Sequence, residues 1–262
     1  MITMPSAEYH RRPEVNKSLL DLIEAAPAKA KARLDGAPSE PTPAMLLGTA
    51  FHAAVLEPET LIKSPEFNKR SKEGKAEAEA FAQEHAGKVI VDPDTFATVQ
   101  GMREGVMRHP VARRIFDDGI PEQSCFAELM GVPVRCRPDW VRPSADLICD
   151  LKSTSDASPD QFSRSVANFR YHVQHAFYQD TIQAAGYAVR SFVFVATERA
   201  FPHLCAVYVL DPADVERGRE AYRRNLETYL ECQASGVWPG YDEGIRVLQL
   251  PAWFRKATQG DF

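Results

Sequence analysis

Apolar residues recur at helical spacing through the first 120 positions, then gather into short strand-like runs. Leu19, Leu20, Leu22 and Ile23 follow Asn16, a good cap, and predict a helix starting at Asn16 or Lys17. Residues 1–15, polar and ending near Pro13, read as an irregular arm. Pro27 marks a break or a new helix start. Gly36, Pro38, Pro41 and Pro43 predict a loop, followed by a helix over about 44–56 that stops at Pro58. The KRSKEGK stretch at 69–75 reads as a short basic loop, and the alanine-rich 75–86 as a helix. Residues 89–91 predict a strand, and 92–109 and 111–116 two helices parted by Pro110.

Past residue 120 the period changes. Residues 124–129, 132–137 and 146–151 predict three strands joined by tight turns at Gly131 and Pro143-Ser144. Helices are expected over 159–168 and 171–185, strands over 191–196 and 204–210, and a long helix over 212–234. The tail 237–262, with Trp238 and Trp253, reads as an extended cover. The fold class is α/β: a central mixed sheet flanked by helices, with a helical N-terminal part. One domain over 1–262 is expected, made of a helical part (1–120), a sheet core (121–235) and the tail (236–262).

Composition narrows the picture. At 262 residues and 44% hydrophobic, the chain can bury one sizeable core. A net charge of -5 argues against a surface coated in positive charge, yet leaves room for a local basic groove. Five cysteines at irregular spacing, without a C-x-x-C pair, fit reduced core thiols better than disulfides, zinc or an iron–sulfur cluster. No apolar run reaches the roughly 18 residues a membrane span needs, and residues 1–13 lack a signal-like apolar segment. A soluble, cytoplasmic protein is the expectation.

The candidate chemistry lies in 137–152. Asp150 sits inside the apolar run Leu147-Ile148-Cys149-Asp150-Leu151, and a buried carboxylate needs a partner or a metal. Strand alternation puts Asp150 and Lys152 on one face. Leu151 points to the opposite face, with its carbonyl left near the site. If the neighbouring strands form a hairpin, Asp139 comes beside Asp150. Two carboxylates and a carbonyl suit Mg²⁺, and a lysine beside them can orient a nucleophile or offset phosphate charge. Taken alone, the Asp139/Asp150/Lys152 spacing fits a surface salt bridge as well. His52, one helical turn after Gly48, is as a lone histidine more simply a core residue. Gln174 and Tyr178, four apart, share a helix face that is polar in many proteins. Glu128, at the end of the preceding strand, is a further candidate carboxylate or a solvated strand end.

The ordered set of these residues resembles the RecE-type exonucleases (exonuclease VIII), often phage-encoded, of the PD-(D/E)XK nuclease superfamily. The resemblance runs from Tyr9-His10 to Leu250-Pro251-Ala252-Trp253. It takes in Ser18-Leu19-Leu20, Gly48-Thr49-Ala50-Phe51-His52, Arg70-Ser71-Lys72-Glu73-Gly74-Lys75, Arg137-Pro138-Asp139, Asp150-Leu151-Lys152-Ser153, Gln174-His175-Ala176-Phe177-Tyr178 and Val195-Ala196-Thr197-Glu198. Ser71 stands where relatives often carry threonine, and no large N-terminal extension is expected. The resemblance implies metal binding at Asp139, Asp150, Leu151 and His52, and catalysis by Lys152 beside the Gln174/Tyr178 pair. It also implies Mg²⁺ (Mn²⁺ substituting) as one or two ions per site, and 5′→3′ digestion of linear duplex DNA to leave 3′ single strands. It further implies a bacterial or phage origin, a homo-oligomeric ring (tetramer over trimer), and a RecT-like single-strand annealing partner.

Arg70, Lys72 and Lys75 form the densest basic segment and are expected on phosphates, with Arg11, Arg12 and Lys17 as a second set. No basic–aromatic pattern indicates base reading, so sequence-independent cutting is expected. Two other readings remain open at this point. One is a different PD-(D/E)XK nuclease, of the RecB or CRISPR-adaptation type; the other is a non-catalytic DNA-end clamp.

Overall fold

The computed structural model of the chain describes residues 1–38, 40–68, 70–241 and 244–250. The first fifteen residues are not an irregular arm. Strand β1 (Ile2–Thr3) pairs with Ser124 and Gln123, and helix α1 (Ser6–Arg11) follows Pro5. Six residues with only Tyr9 buried carry too little periodicity to announce a helix.

Helix α2 (Lys17–Ala25) is capped by Asn16, whose side chain accepts the Leu19 N–H at 3.0 Å. Pro27 opens α3 (Pro27–Leu34), and Pro43 opens α4 (Pro43–Leu56), one residue earlier than the pattern indicates. The short strands β2 (Leu61–Lys63) and, further on, β3 (Val89–Val91) pair in parallel; β2 is too short to show a period.

The basic stretch near residue 70 is not a loop throughout. The Ser71 hydroxyl accepts the Gly74 N–H at 2.9 Å and starts α5 (Lys72–Glu84), so Lys72 and Lys75 stand on its first turns. Only glycine fits at 74, because a Cβ would lie 2.3 Å from the Asn68 carbonyl oxygen. After β3 come α6 (Pro93–Arg108), capped by Asp92, and α7 (Pro110–Phe116).

The remaining elements are β4 (Ile120–Pro121), β5 (Gln123–Leu129), β6 (Val132–Cys136), β7 (Trp140–Arg142), β8 (Leu147–Thr154), α8 (Pro159–Asn168), α9 (Tyr171–Ala184), β9 (Ser191–Glu198), β10 (Cys205–Tyr208) and α10 (Pro212–Ser235). They form a five-stranded mixed sheet, β10-β9-β8-β7-β4, with β8 and β9 parallel and α8 and α9 as the crossover. A separate three-stranded sheet has the order β1-β5-β6. This corrects the expected three-strand meander: β6 does not pair with β8. The chain leaves one sheet at Arg137-Pro138 and enters the other through β7, a strand too short for alternation to reveal.

Alternation along β8 and β9 divides the interior. Ile148, Phe192, Phe194 and Ala196 pack towards α2, α9 and α10. Cys149, Leu151, Val193 and Val195 pack on the other face with Phe51, Met102 and Val106 of α4 and α6. Of the five free cysteines, four are buried and Cys205 is half-buried. After α10, Trp238 meets Tyr229 edge-on at 6.0 Å, but Ile245, Val247 and Leu248 are exposed, so 245–248 do not act as a cover. Trp253 lies outside the described residues. Among the described residues, no helix is long and apolar enough to cross a membrane.

Candidate active site

The centre of the site follows from where β7 stops. β7 and β8 are antiparallel, with Trp140 opposite Cys149. Extending that register puts Asp139 opposite Asp150 and Pro138 opposite Leu151. Proline has no N–H to give to the ladder. The β8 backbone at Leu151 is therefore open at its edge. Its N–H donates to Asp139 Oδ2 at 2.6 Å, and its carbonyl faces His52 Nε2 at 2.8 Å. Helix α4 brings His52 there by packing Phe51 and Val55 into the apolar layer that also holds Leu151. Gly48 gives ample room: a Cβ there would meet only Ser153 Oγ, at 3.8 Å.

Asp150 and Lys152 point the other way, towards α9. Asp150 is 2% exposed. Gln174 donates from Nε2 to Asp150 Oδ1 at 2.5 Å and accepts from Lys152 Nζ at Oε1, at 3.1 Å. The second Asp150 oxygen lies against the Lys152 ammonium, which also sits 4.4 Å from the Tyr171 ring centroid. Burial works against the charge on Lys152, but Asp150 and Asp139 outweigh it and hold the ammonium above its ordinary pKa. Tyr178, one turn after Gln174, lines the same cleft, and burial drives its phenol well above the usual range. The i, i+4 pair read from the sequence thus faces the carboxylates.

Glu128 is not brought to this group: it is exposed on β5 opposite Pro133, in the other sheet. The carboxylate that does approach is Glu122, which sequence reasoning missed. Glu122 lies at the junction of β4 and β5 with a left-handed φ of 51°, donates its N–H to the Asp139 carbonyl at 3.0 Å, and pairs with Arg137 Nε at 2.7 Å. A non-glycine residue held at positive φ is costly backbone, and here it turns the chain from one sheet into the other. Its only sequence signal was the polar step Pro121-Glu122-Gln123 between apolar runs.

His52, Glu122 and Asp139 each offer a ligand atom within 4.8 Å of the others. His52 must donate from Nε2 to the Leu151 carbonyl, which leaves Nδ1 facing Asp139 Oδ1 at 3.5 Å. Two acceptors set against each other call for a proton or a cation between them. With the Leu151 carbonyl and Asp150 adjacent, the donor set is mainly hard oxygen and fits a divalent cation.

Without a cation the proton is the remedy. Burial first, and then the Asp150 charge, raise the Asp139 pKa from 3.8 to about 7. The sign follows: between those values the folded chain keeps a proton that the unfolded chain has released. This stabilisation is complete below pH 3.8 and is lost as pH rises through about 7. The metal-free protein is expected to lose thermal stability over that window relative to Asp139→Asn, whose curve lacks this contribution. Parallel melting curves for the two proteins would contradict the assignment.

The cleft lined by His52, Glu122, Asp139, Lys152, Gln174 and Tyr178 has a volume of about 490 Å³, with Asp150 and Leu151 buried behind its wall. Of the six basic residues expected on DNA, Lys17 lines it; Arg11, Arg12, Arg70, Lys72 and Lys75 do not. Arg12 is paired with Glu14 and lies over the Phe126 ring at 4.9 Å. Arg70, Lys72 and Lys75 are exposed at the start of α5, free to meet a large ligand but outside the cleft. Tyr9 and Arg137 line the cleft, with the Arg137 guanidinium 5.4 Å from the Tyr9 ring centroid.

A mixed sheet flanked by helices, with Asp139, Asp150 and Lys152 at its broken β7–β8 edge, defines a member of the PD-(D/E)XK nuclease superfamily. Residues 16–251 match the family described as "PDDEXK-like domain of unknown function (DUF3799)", and the chain belongs to that family. It is also similar in fold to a solved protein from Eubacterium rectale named as a candidate exonuclease, with 15% identity, full coverage of both chains and a TM-score of 0.67. A second solved structure, SSO0001, covers 68% of this chain and 84% of its own at 14% identity; its TM-score of 0.28 carries no argument. No curated protein matches the chain. The expected fold class and superfamily therefore hold.

Proposed function

We propose that this protein is a divalent-metal-dependent exonuclease that degrades linear duplex DNA from 5′ ends and leaves 3′ single strands. The observation that carries the reading is a cleft lined by Asp139 and Lys152, directly bonded to the open-edge Leu151 backbone and to Asp150. Asp139, Asp150, the Leu151 carbonyl, His52 and Glu122 are the residues that would hold the ion. The oxygen-rich set favours Mg²⁺, with Mn²⁺ as a substitute. When bound, such an ion supplies Lewis acidity and lowers the pKa of water.

The chain's own groups do the rest. Lys152 places a fixed positive charge where negative charge grows on the phosphate. Its ammonium lies against the Asp150 carboxylate and the Tyr171 ring, which suits the role of a fixed cation. Gln174 fixes Asp150 and Lys152 relative to each other through both ends of its amide. Asn16 caps α2, Arg137 pairs with Glu122 and Gln174 bridges Asp150 and Lys152, so these cleft residues are already engaged, which favours sequence-independent cutting. The ring assembly, the 5′→3′ direction and the single-strand annealing partner rest on the RecE-type resemblance. Lys17 in the cleft and the exposed Arg70, Lys72 and Lys75 are the proposed phosphate contacts.

The test is a time course on linear duplex labelled at either the 5′ or the 3′ end, beside a closed circular duplex. Label is expected to leave the 5′ end first, only with Mg²⁺ or Mn²⁺, while the circle stays intact. Release in EDTA, or equal cutting of the circle, would refute the proposal.

A further inference from the structure

The active cleft does not end at Lys152. A groove of about 870 Å³ continues beyond Lys17, Lys152 and Tyr171, which line both spaces. At its rim stands Phe169, the residue joining α8 to α9, with 59% of its surface exposed. Large exposed rings are ordinary on mobile loops, but the backbone that carries this one is anchored at both its carbonyl and its N–H. Lys17 Nζ donates to the Phe169 carbonyl at 2.7 Å, and the Phe169 N–H donates to the Ser165 carbonyl at 2.9 Å. The next residue, Arg170, takes a left-handed φ of 55°, costly for a side chain of its size. Its guanidinium secures the turn on Asp21 at 3.0 Å and Asn225 at 2.6 Å.

This anchored turn aims the Phe169 ring. It stacks on Tyr171 at 5.7 Å and 28°, and Tyr171 stacks on Phe194 at 5.8 Å and 25°. Lys152 lies over the middle ring of the three. The stack therefore begins in the core, passes beside the lysine and ends on an open aromatic face. The groove also carries groups suited to phosphate. The hydroxyls of Ser153 and Ser155 have no hydrogen-bond partner, and Arg199 no side-chain ion pair, among the described residues. The acids that line the groove, Asp21 and Glu24, are already paired with Lys17 and Arg170.

An open ring beside hydroxyls and a free guanidinium is the chemistry of single-strand binding, in which bases stack and cations follow the backbone. Bases inside a duplex have no free face to give. We infer that Phe169 is the stacking platform for the base of an unpaired nucleotide next to the scissile phosphate, and that the groove carries that strand past Ser153, Ser155 and Arg199. This inference rests on the nuclease reading above. It makes Phe169 a positioning residue for DNA whose end has opened.

The experiment is equilibrium binding by fluorescence anisotropy, with Ca²⁺ as the added ion. The probes are a labelled duplex with two unpaired 5′ nucleotides and the same duplex with abasic units at those two positions. Phe169→Ala is expected to weaken binding of the first probe by about 5- to 150-fold, the worth of one base–aromatic stack. Phe169→Trp should keep affinity, and Phe169→Leu, apolar but not aromatic, should fall with alanine. Abasic units should weaken the natural protein similarly and cost the alanine variant nothing further. Unchanged binding by Phe169→Ala, or equal losses on both probes, would overturn the inference. Melting curves check folding, and the exposed site predicts no shift. Hydrolysis is scored separately under Mg²⁺, so failure of the nuclease reading is distinguishable from failure of the stacking platform.

Discussion

Lys152→Ala is expected to lower nucleotide release from linear duplex DNA by about 10²- to 10³-fold while leaving duplex binding in place, as for the loss of one preorganised charge-stabilising donor. The ammonium is held by the Gln174 amide oxygen at 3.1 Å, by Asp150 and by the Tyr171 ring, so its position is fixed before any substrate arrives. The proposed phosphate contacts at Arg70, Lys72 and Lys75 lie outside the cleft, which is why affinity should survive. Lys152→Arg should not restore the rate. A planar guanidinium cannot occupy a point-charge niche between a carboxylate and an aromatic face without displacing Gln174. Turnover within a few-fold of the natural protein in Lys152→Ala would remove the lysine from the mechanism.

Asp150→Ala should abolish hydrolysis and also destabilise the fold, by about 3–5 kcal/mol. The carboxylate is 2% exposed and is the close counter-charge for a Lys152 side chain that is itself 16% exposed. Removing it strands a cation in the core and leaves one Gln174 donor without its acceptor. For a chain of this size the loss corresponds to roughly 6–20 °C in melting temperature. The double variant Asp150→Ala/Lys152→Met removes both charges together and should recover most of the stability with none of the activity. A double variant as unstable as the single one would show that the charge pair is not what Asp150 supports.

These two residues lie two positions apart in the sequence but were legible to different degrees. A carboxylate inside Leu147-Ile148-Cys149-Asp150-Leu151 cannot be left unpaired, so its burial implied a partner before any coordinates. Strand alternation supplied Lys152 on the same face, and helix spacing supplied Gln174 and Tyr178 as a pair. What spacing could not supply was the partnering. That α9 lays Gln174 across both Asp150 and Lys152 depends on the β8–α8–α9–β9 crossover. Glu122 was illegible for a related reason. Its place beside Asp139 comes from a left-handed residue at the junction of two sheets, and that backbone state leaves no periodic trace. Glu128, by contrast, had a plausible sequence position and lies exposed in the other sheet.

By itself the sequence determined the elements long enough to show a period, the cap at Asn16 and the opposite faces of Asp150 and Leu151, while the superfamily came from resemblance of the whole ordered set of motifs. Local rules fix these, because hydrophobic spacing, capping and alternation act over a few residues. The tertiary structure alone decided that β7 stands between β8 and β4 in a sheet that β6 does not join, and that Pro138 falls opposite Leu151 and leaves its backbone open. It alone decided that His52 reaches the Leu151 carbonyl, that Glu122 joins the group, and that Phe169 ends a stack beside Lys152. Each of those depends on residues that meet only when the sheets and their helices close on both faces of β8 and β9. No local pattern encodes that distance.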